Sequence, residues 1–212
     1  KLVGISRSMT RAVWIYSKLK FVIETLRFFT KLYILHKLRV LGWKVVGNIP
    51  ENINKCVIAV APHTCIDDFI LGRLAYCSID KPVKFLIKKE FFDNPFLRPL
   101  LKKLGGIPVD RSKSNNTVNQ VAALFKQYDT LNIVLTPEGT RKLVHSWKRG
   151  FYYIAVKAHV PIVMGFLDYK KKELGFGPMF YPSGNYDEDW KIMEKFYRGI
   201  TAKYPELYNL SN

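Results

Sequence analysis

A chain of 212 residues, 48% hydrophobic and 24% charged, has material for one well-buried core but not for two comfortable domains. Its 14 Phe, 12 Tyr and 4 Trp exclude a disordered chain, and three cysteines (Cys56, Cys65, Cys77) cannot all pair, which argues against a disulfide framework and for a reducing compartment. With 34 Lys and Arg against 17 Asp and Glu the formal charge is +17, so the expected partner is anionic: nucleic acid, an anionic lipid surface or a phosphorylated substrate.

The charge is concentrated at the start. The first 50 residues hold ten basic side chains and one acid, Glu24. Within them Ile15, Leu19, Val22, Ile23, Leu26, Phe29, Tyr33 and Ile34 recur at spacings of three and four, while Lys20, Glu24, Arg27 and Lys31 occupy another face. Residues 1–45 therefore read as a basic amphipathic helical segment of the kind that lies in a membrane interface. A helix that merely packs on the following domain is the alternative. No stretch has the roughly 18 to 20 apolar residues of a spanning helix; Phe151 to Leu167 is interrupted by Lys157, His159 and Pro161. The expected location is peripheral or monotopic, on the cytoplasmic face of a membrane. The sequence opens at Lys1 and is silent on anything upstream.

After Pro50 short β-branched runs alternate with helical ones. Strands are expected at Cys56–Ala61, Val83–Ile87, Ile107–Asp110, Leu131–Thr136 and Pro161–Leu167. Helices are expected at Asp67–Cys77, Pro95–Leu104, Thr117–Tyr128, Phe151–His159 and Glu188–Tyr204. This alternation predicts an α/β fold over residues 46–212: a single domain with a mostly parallel central sheet flanked by helices.

Ala61-Pro62-His63-Thr64-Cys65-Ile66-Asp67-Asp68 follows the first core strand and opens a helix. Thr64 is the expected N-cap, with Asp67 completing an approximate capping box. On that register His63 and Asp68 stand where the chain folds back over the first turn. A carboxylate beside an imidazole fixes its tautomer and stabilises the protonated ring, which would make His63 a general base for a hydroxyl. Cys65 would point away from His63 and serve packing. His36, His145 and His159 do not cluster as zinc ligands would.

Further on, Leu131–Thr136 runs straight into Pro137-Glu138-Gly139-Thr140-Arg141-Lys142, a glycine turn at a strand's carboxyl end whose Thr, Arg and Lys suit a phosphate. Between the two lies Gly105-Gly106-Ile107-Pro108-Val109-Asp110-Arg111. The set resembles the glycerolipid acyltransferase family, the lysophosphatidic acid and glycerol-3-phosphate acyltransferases. The family's His-x4-Asp block looks like His63 to Asp68, and its second block like Gly105 and Arg111. Its Glu-Gly-Thr-Arg block stands unchanged at Glu138 to Arg141, and its Val-Pro-Ile-Val block looks like Val160 to Val163. Trp147 to Phe151 is similar to the bacterial branch. Two departures occur: Thr136 precedes Pro137 where the family has Phe, and Met164 follows Val163 where it has Pro.

The resemblance implies transfer of an acyl group from an acyl thioester, acyl-CoA or acyl-ACP (acyl carrier protein), to the hydroxyl of a lysophospholipid such as lysophosphatidic acid, with no metal or redox cofactor. His63 would be the base and Asp68 its orienting acid. Arg141, Arg111 and Lys88 would hold the acceptor's phosphate, with Thr140 in the same cradle. Glu138 would steady acceptor or arginine, and Gly139 would set the backbone. Val160, Pro161, Ile162 and Val163, with Phe91, Phe92 and Phe96, are the acyl-groove candidates. O-acylation of a lyso-aminolipid would use the same blocks. A nucleic-acid module is disfavoured because the basic residues share a helix with Leu, Phe and Ile. A catalytically silent lipid-binding protein is disfavoured by the intact His63 and Asp68.

Overall fold

The helical segment expected within residues 1–45 is one long helix. In the computed structural model helix α1 runs from Leu2 to Val40, about 58 Å at 1.5 Å per residue. The structure describes residues 2–77, 79, 81–110 and 114–210, with the side chains of 2–15, 19, 23, 27 and 114–116 outside that description. Among the described side chains of α1, Ile34 and Leu38 are the buried ones, packed with Leu71 and Ala75 of helix α2 (Ile66–Cys77). Phe21, Val22, Leu26, Phe28, Phe29, Leu32 and Tyr33 are all exposed. At 100° per residue these seven fall in an arc of about 160°, on the side of the helix opposite Ile34 and Leu38. The domain thus covers α1 only over its last turns, on the side of Ile34 and Leu38, and leaves the greasier face bare; Tyr16, earlier on the covered side, is exposed. Among the described residues no helix is long and apolar enough to cross a membrane.

Seven strands form one sheet: β1 (Lys44–Val46), β2 (Lys55–Ala61), β3 (Val83–Lys88), β4 (Gly106–Val109), β5 (Leu131–Leu135), β6 (Ile162–Asp168) and β7 (Glu173–Phe180), in the order β1-β7-β6-β2-β5-β3-β4. The five from β6 to β4 are parallel, as expected; β7 runs antiparallel to β6, and β1 pairs parallel with β7. Those last two strands are additions to the sequence reading. β1 is only three residues long, and Gly175, Gly177 and Pro178 mask the strand pattern of β7. Helices α3 (Leu97–Lys103), α4 (Ser114–Gln127) and α5 (Gly150–Ala158) fall close to expectation. Helix α6 (Tyr186–Tyr197) stops short of the expected Tyr204, at the C-cap Arg198 followed by Gly199. Its amino end is capped by Asn185, whose side chain accepts from the N–H groups of Asp187 and Glu188.

β2 is buried on both faces, as a central parallel strand must be. Val57, Ala59 and Ala61 join a cluster with residues of α4, α5 and α6, while Cys56, Ile58 and Val60 join one formed with α2 and the end of α1. The buried Tyr197 ties α6 to the sheet, its hydroxyl donating to the Ala59 carbonyl at 2.6 Å with the Gly165 carbonyl 3.2 Å away. Because β5, β2 and β6 are parallel neighbours, in register at Ala59 with Leu135 and Ala61 with Phe166, their carboxyl ends lie side by side. The segments that follow them meet at one edge, where open α/β sheets bind ligands.

Candidate active site

Helix α2 begins at Ile66, so Cys65 rather than Thr64 stands at its N-cap and Asp68 takes position N3. The Asp68 carboxylate reaches back, Oδ2 accepting the N–H groups of Thr64 (2.7 Å) and Cys65 (2.9 Å). This is the acidic half of a capping box, so the role expected of Asp67 belongs to Asp68. The Thr64 hydroxyl is buried without a partner among the described residues. Asp67 instead pairs with Lys203.

The backbone bonds hold Asp68 against the imidazole: His63 Nδ1 lies 3.4 Å from Oδ2. That is long for a neutral hydrogen bond and within reach of an ion pair. Its other oxygen, Oδ1, accepts from the Tyr169 hydroxyl at 2.6 Å and from Cys65 Sγ at 3.2 Å. Cys65 therefore belongs to the carboxylate's surroundings, contrary to the sequence expectation, because the helix starts one residue later. Burial works to raise the Asp68 carboxyl, but the bonds from His63, Tyr169 and Cys65 prevail and hold it at about 2. Asp68 is thus a fixed anion beside His63, with Nε2 left as the basic nitrogen of the tautomer that this contact selects.

Glu138, seventy-five residues away, arrives because β5 borders β2. Its Oε2 accepts the backbone N–H of His63 at 2.8 Å. It is only 2% exposed, and burial lifts its carboxyl; the His63 N–H opposes this, the charge on Asp68 adds to it, and the result is about 7. Its Oε1 has no partner among the described residues. The half-buried Tyr208 phenol is pushed up by burial and by the charge on Glu138. Gly139 turns the chain at φ +67°, a conformation that suits glycine.

A cavity of about 890 Å³ opens beside these groups. His63, Asp68, Thr136, Pro137, Gly139, Lys148 and Arg149 share its lining with Phe69, Tyr76, Phe85, Leu86, Leu101, Leu104, Val118 and Ile154. A mostly apolar chamber with a few polar groups is the usual form of a small-molecule site, and this one has room for a hydrocarbon chain.

Of the residues singled out from sequence, His63, Asp68 and Gly139 line the cavity and Glu138 braces His63 from behind. Arg141 and Lys88 lie at the same sheet edge, exposed and outside the lining. The Thr140 hydroxyl accepts the Lys142 N–H at 3.3 Å and is also outside it. Arg111 falls outside the described residues. The expected acyl groove is not where Val160 to Val163 sit. The Pro161 carbonyl accepts the Val57 N–H at the amino end of β2, about 20 Å from the edge that carries His63 at 3.3 Å per residue. Val160 and Pro161 line a separate depression of about 450 Å³ with Lys55 and His159, and Ile162 and Val163 are buried core. Phe91, Phe92 and Phe96 do not line the main cavity either.

Tyr169 escaped the sequence reading, since nothing in Asp168-Tyr169-Lys170 marks it as more than a turn after a strand. Trp43, just beyond α1, packs edge-on against its ring (4.9 Å between centroids, 89°), and the Lys172 ammonium stands over both rings. Among the described residues no cluster of three or more His, Cys, Asp or Glu side chains could hold a metal ion.

Comparison with known proteins gives two matches of use. The family model described as Acyltransferase matches residues 43–164. The crystal structure of the 1-acyl-sn-glycerophosphate (LPA) acyltransferase PlsC from Thermotoga maritima is similar in fold, with a TM-score of 0.54 and 19% identity over 84% of this chain and 81% of that one. No curated protein matches the sequence.

Proposed function

The chain belongs to the acyltransferase family, and on that footing we propose that it moves a fatty acyl group from acyl-CoA or acyl-ACP to the hydroxyl of a lysophospholipid, lysophosphatidic acid first among them. The observation that carries the reading is the His63–Asp68 pair, Nδ1 to Oδ2 at 3.4 Å, opening on a mostly apolar cavity. The structurally similar PlsC is a 1-acyl-sn-glycerophosphate acyltransferase, which supports the choice of lysolipid.

His63 Nε2 takes the proton of the acceptor hydroxyl as its oxygen attacks the thioester carbonyl carbon. The tetrahedral intermediate collapses with cleavage of the C–S bond, and the imidazolium returns its proton to the departing thiolate. Asp68 keeps the ring oriented and offsets its positive charge in between, and general-base help of this kind is worth about 10² to 10⁴ in rate. Tyr169 holds the far side of the Asp68 carboxylate, and Glu138 fixes the His63 backbone. Arg141 and Lys88 add positive potential at the same edge for phosphate-bearing substrates. Helix α1 lies on an anionic membrane surface through its exposed apolar arc and basic residues, which brings the cavity to lysolipid in the bilayer.

The test is an acceptor panel with one acyl thioester: lysophosphatidic acid, glycerol 3-phosphate, lysophospholipids with larger head groups and a lyso-aminolipid. Diacyl product from lysophosphatidic acid is the expected result. Product from the lyso-aminolipid alone moves the substrate, and product from none overturns the proposal.

A further inference from the structure

Among the described residues the acidic and basic side chains lining the cavity are His63, Asp68, Lys148 and Arg149. The first two engage each other. The Arg149 guanidinium is taken up by Asp187 at 3.6 Å and by the face of the Tyr186 ring at 4.3 Å. Lys148 differs: its ammonium has no partner among the described residues, and its side chain runs beside Gly139. The Lys148 N–H donates to the Pro137 carbonyl at 2.8 Å, and the side chain lies along Gly139 so closely that a Cβ there would sit 2.9 Å from Cδ and 3.0 Å from Nζ. The residue between Pro137 and Gly139 is Glu138, which receives the His63 N–H. One tight turn therefore carries the support of His63 on one side and an uncompensated cation on the other. That turn ends β5 in a chamber whose other walls are largely Phe, Tyr and Leu.

We propose that Lys148 binds the phosphate of the acceptor lysolipid, setting the glycerol hydroxyl against His63 while the hydrocarbon chain occupies the apolar part of the cavity. This rests on the acyltransfer reading above and assigns the phosphate to a residue of the Trp147–Phe151 stretch, which had no role in the sequence reading. Arg141 and Lys88 then act at the rim rather than within the cavity. Gly139 has a second reason to be glycine, since any side chain there would displace the lysine.

Lys148 is exposed, so Lys148→Met should fold and Lys148→Arg should keep the charge; melting curves check both. An ammonium–phosphate hydrogen bond is worth about 10-fold to 100-fold in affinity. Lys148→Met should raise the KM for lysophosphatidic acid by that factor and leave the KM for the acyl thioester where it was. Lys148→Arg should recover most of the loss. Equilibrium binding to the same variants should weaken for lysophosphatidic acid and not for monoacylglycerol, which lacks the phosphate. Equal weakening for both lipids, no weakening, or a rise confined to the thioester KM would each overturn the assignment, the last giving Lys148 to the donor's phosphates. If the native protein acylates no lysolipid, the acyltransfer reading fails, while the binding comparison still decides what Lys148 holds.

Discussion

Asp68→Asn isolates the charge of the orienting acid from its geometry. The N–H groups of Thr64 and Cys65 require an acceptor where Oδ2 now lies, and the asparagine carbonyl oxygen supplies it, still facing His63 Nδ1. The amide nitrogen then faces the Tyr169 hydroxyl, which can turn to accept. Cap and ring orientation survive, and the negative charge is gone. At 3.4 Å an imidazolium and a carboxylate attract by about 5 kcal/mol with an effective dielectric of about 20. Allowing about half for screening and for the remaining hydrogen bond leaves a transition-state loss of about 2.5 kcal/mol, or roughly 10²-fold in kcat. Thiol release from acyl-CoA in the presence of lysophosphatidic acid measures it, with a melting curve confirming the fold. A kcat within threefold of the native value would remove Asp68 from the reaction.

Tyr169→Phe takes one donor from Asp68 and should lower kcat about fivefold with little change in acceptor KM, since one hydrogen bond is worth about 1 kcal/mol. It should also change acid stability. The native chain has an Asp68 carboxyl held at about 2, so stability fully present above about pH 4 is lost as pH falls towards 2; the variant, with a narrower gap, should lose less by urea titration at each pH. Glu138 has the opposite sign. Its folded value of about 7 lies above the ordinary carboxylate range, so the native protein should lose about 3 kcal/mol of stability as pH rises from about 4.5 to 7. Glu138→Gln should flatten that decline; a native profile flat over the same range would contradict the burial argument. Replacing both Phe28 and Phe29 by Ser, exposed on α1, should weaken co-sedimentation with anionic vesicles at least tenfold at about 1.5 kcal/mol or more per buried Phe, with the helical circular dichroism unchanged.

The centre of the parallel core was legible because β2 and β6 are buried on both faces and β2 reads as an unbroken apolar run, Cys56–Ala61. The meeting of His63 with Asp68 was legible too, because a helix start is a local event in which three or four residues fold back on one another. The match of Glu138 to His63 depends on strand order, which places β5 beside β2 and has no local signature. The same holds for Tyr169, whose partner lies on α2; Lys148 stood within the Trp147–Phe151 stretch, but its place beside Gly139 depends on the turn it crosses. Val160 to Val163 misled for a related reason. An apolar block within the family resemblance suggests a lipid groove, yet β6 starts at the opposite end of the sheet from His63, with Ile162 and Val163 in the core and Val160 and Pro161 just before it.

The most direct measurement is the formation of phosphatidic acid from labelled acyl-CoA and lysophosphatidic acid by the native protein and by His63→Ala, both with native melting curves. A base poised at the mouth of the cavity predicts diacyl product from the first and a loss of at least 10²-fold in the second. Equal turnover by the two proteins would contradict the account at its centre.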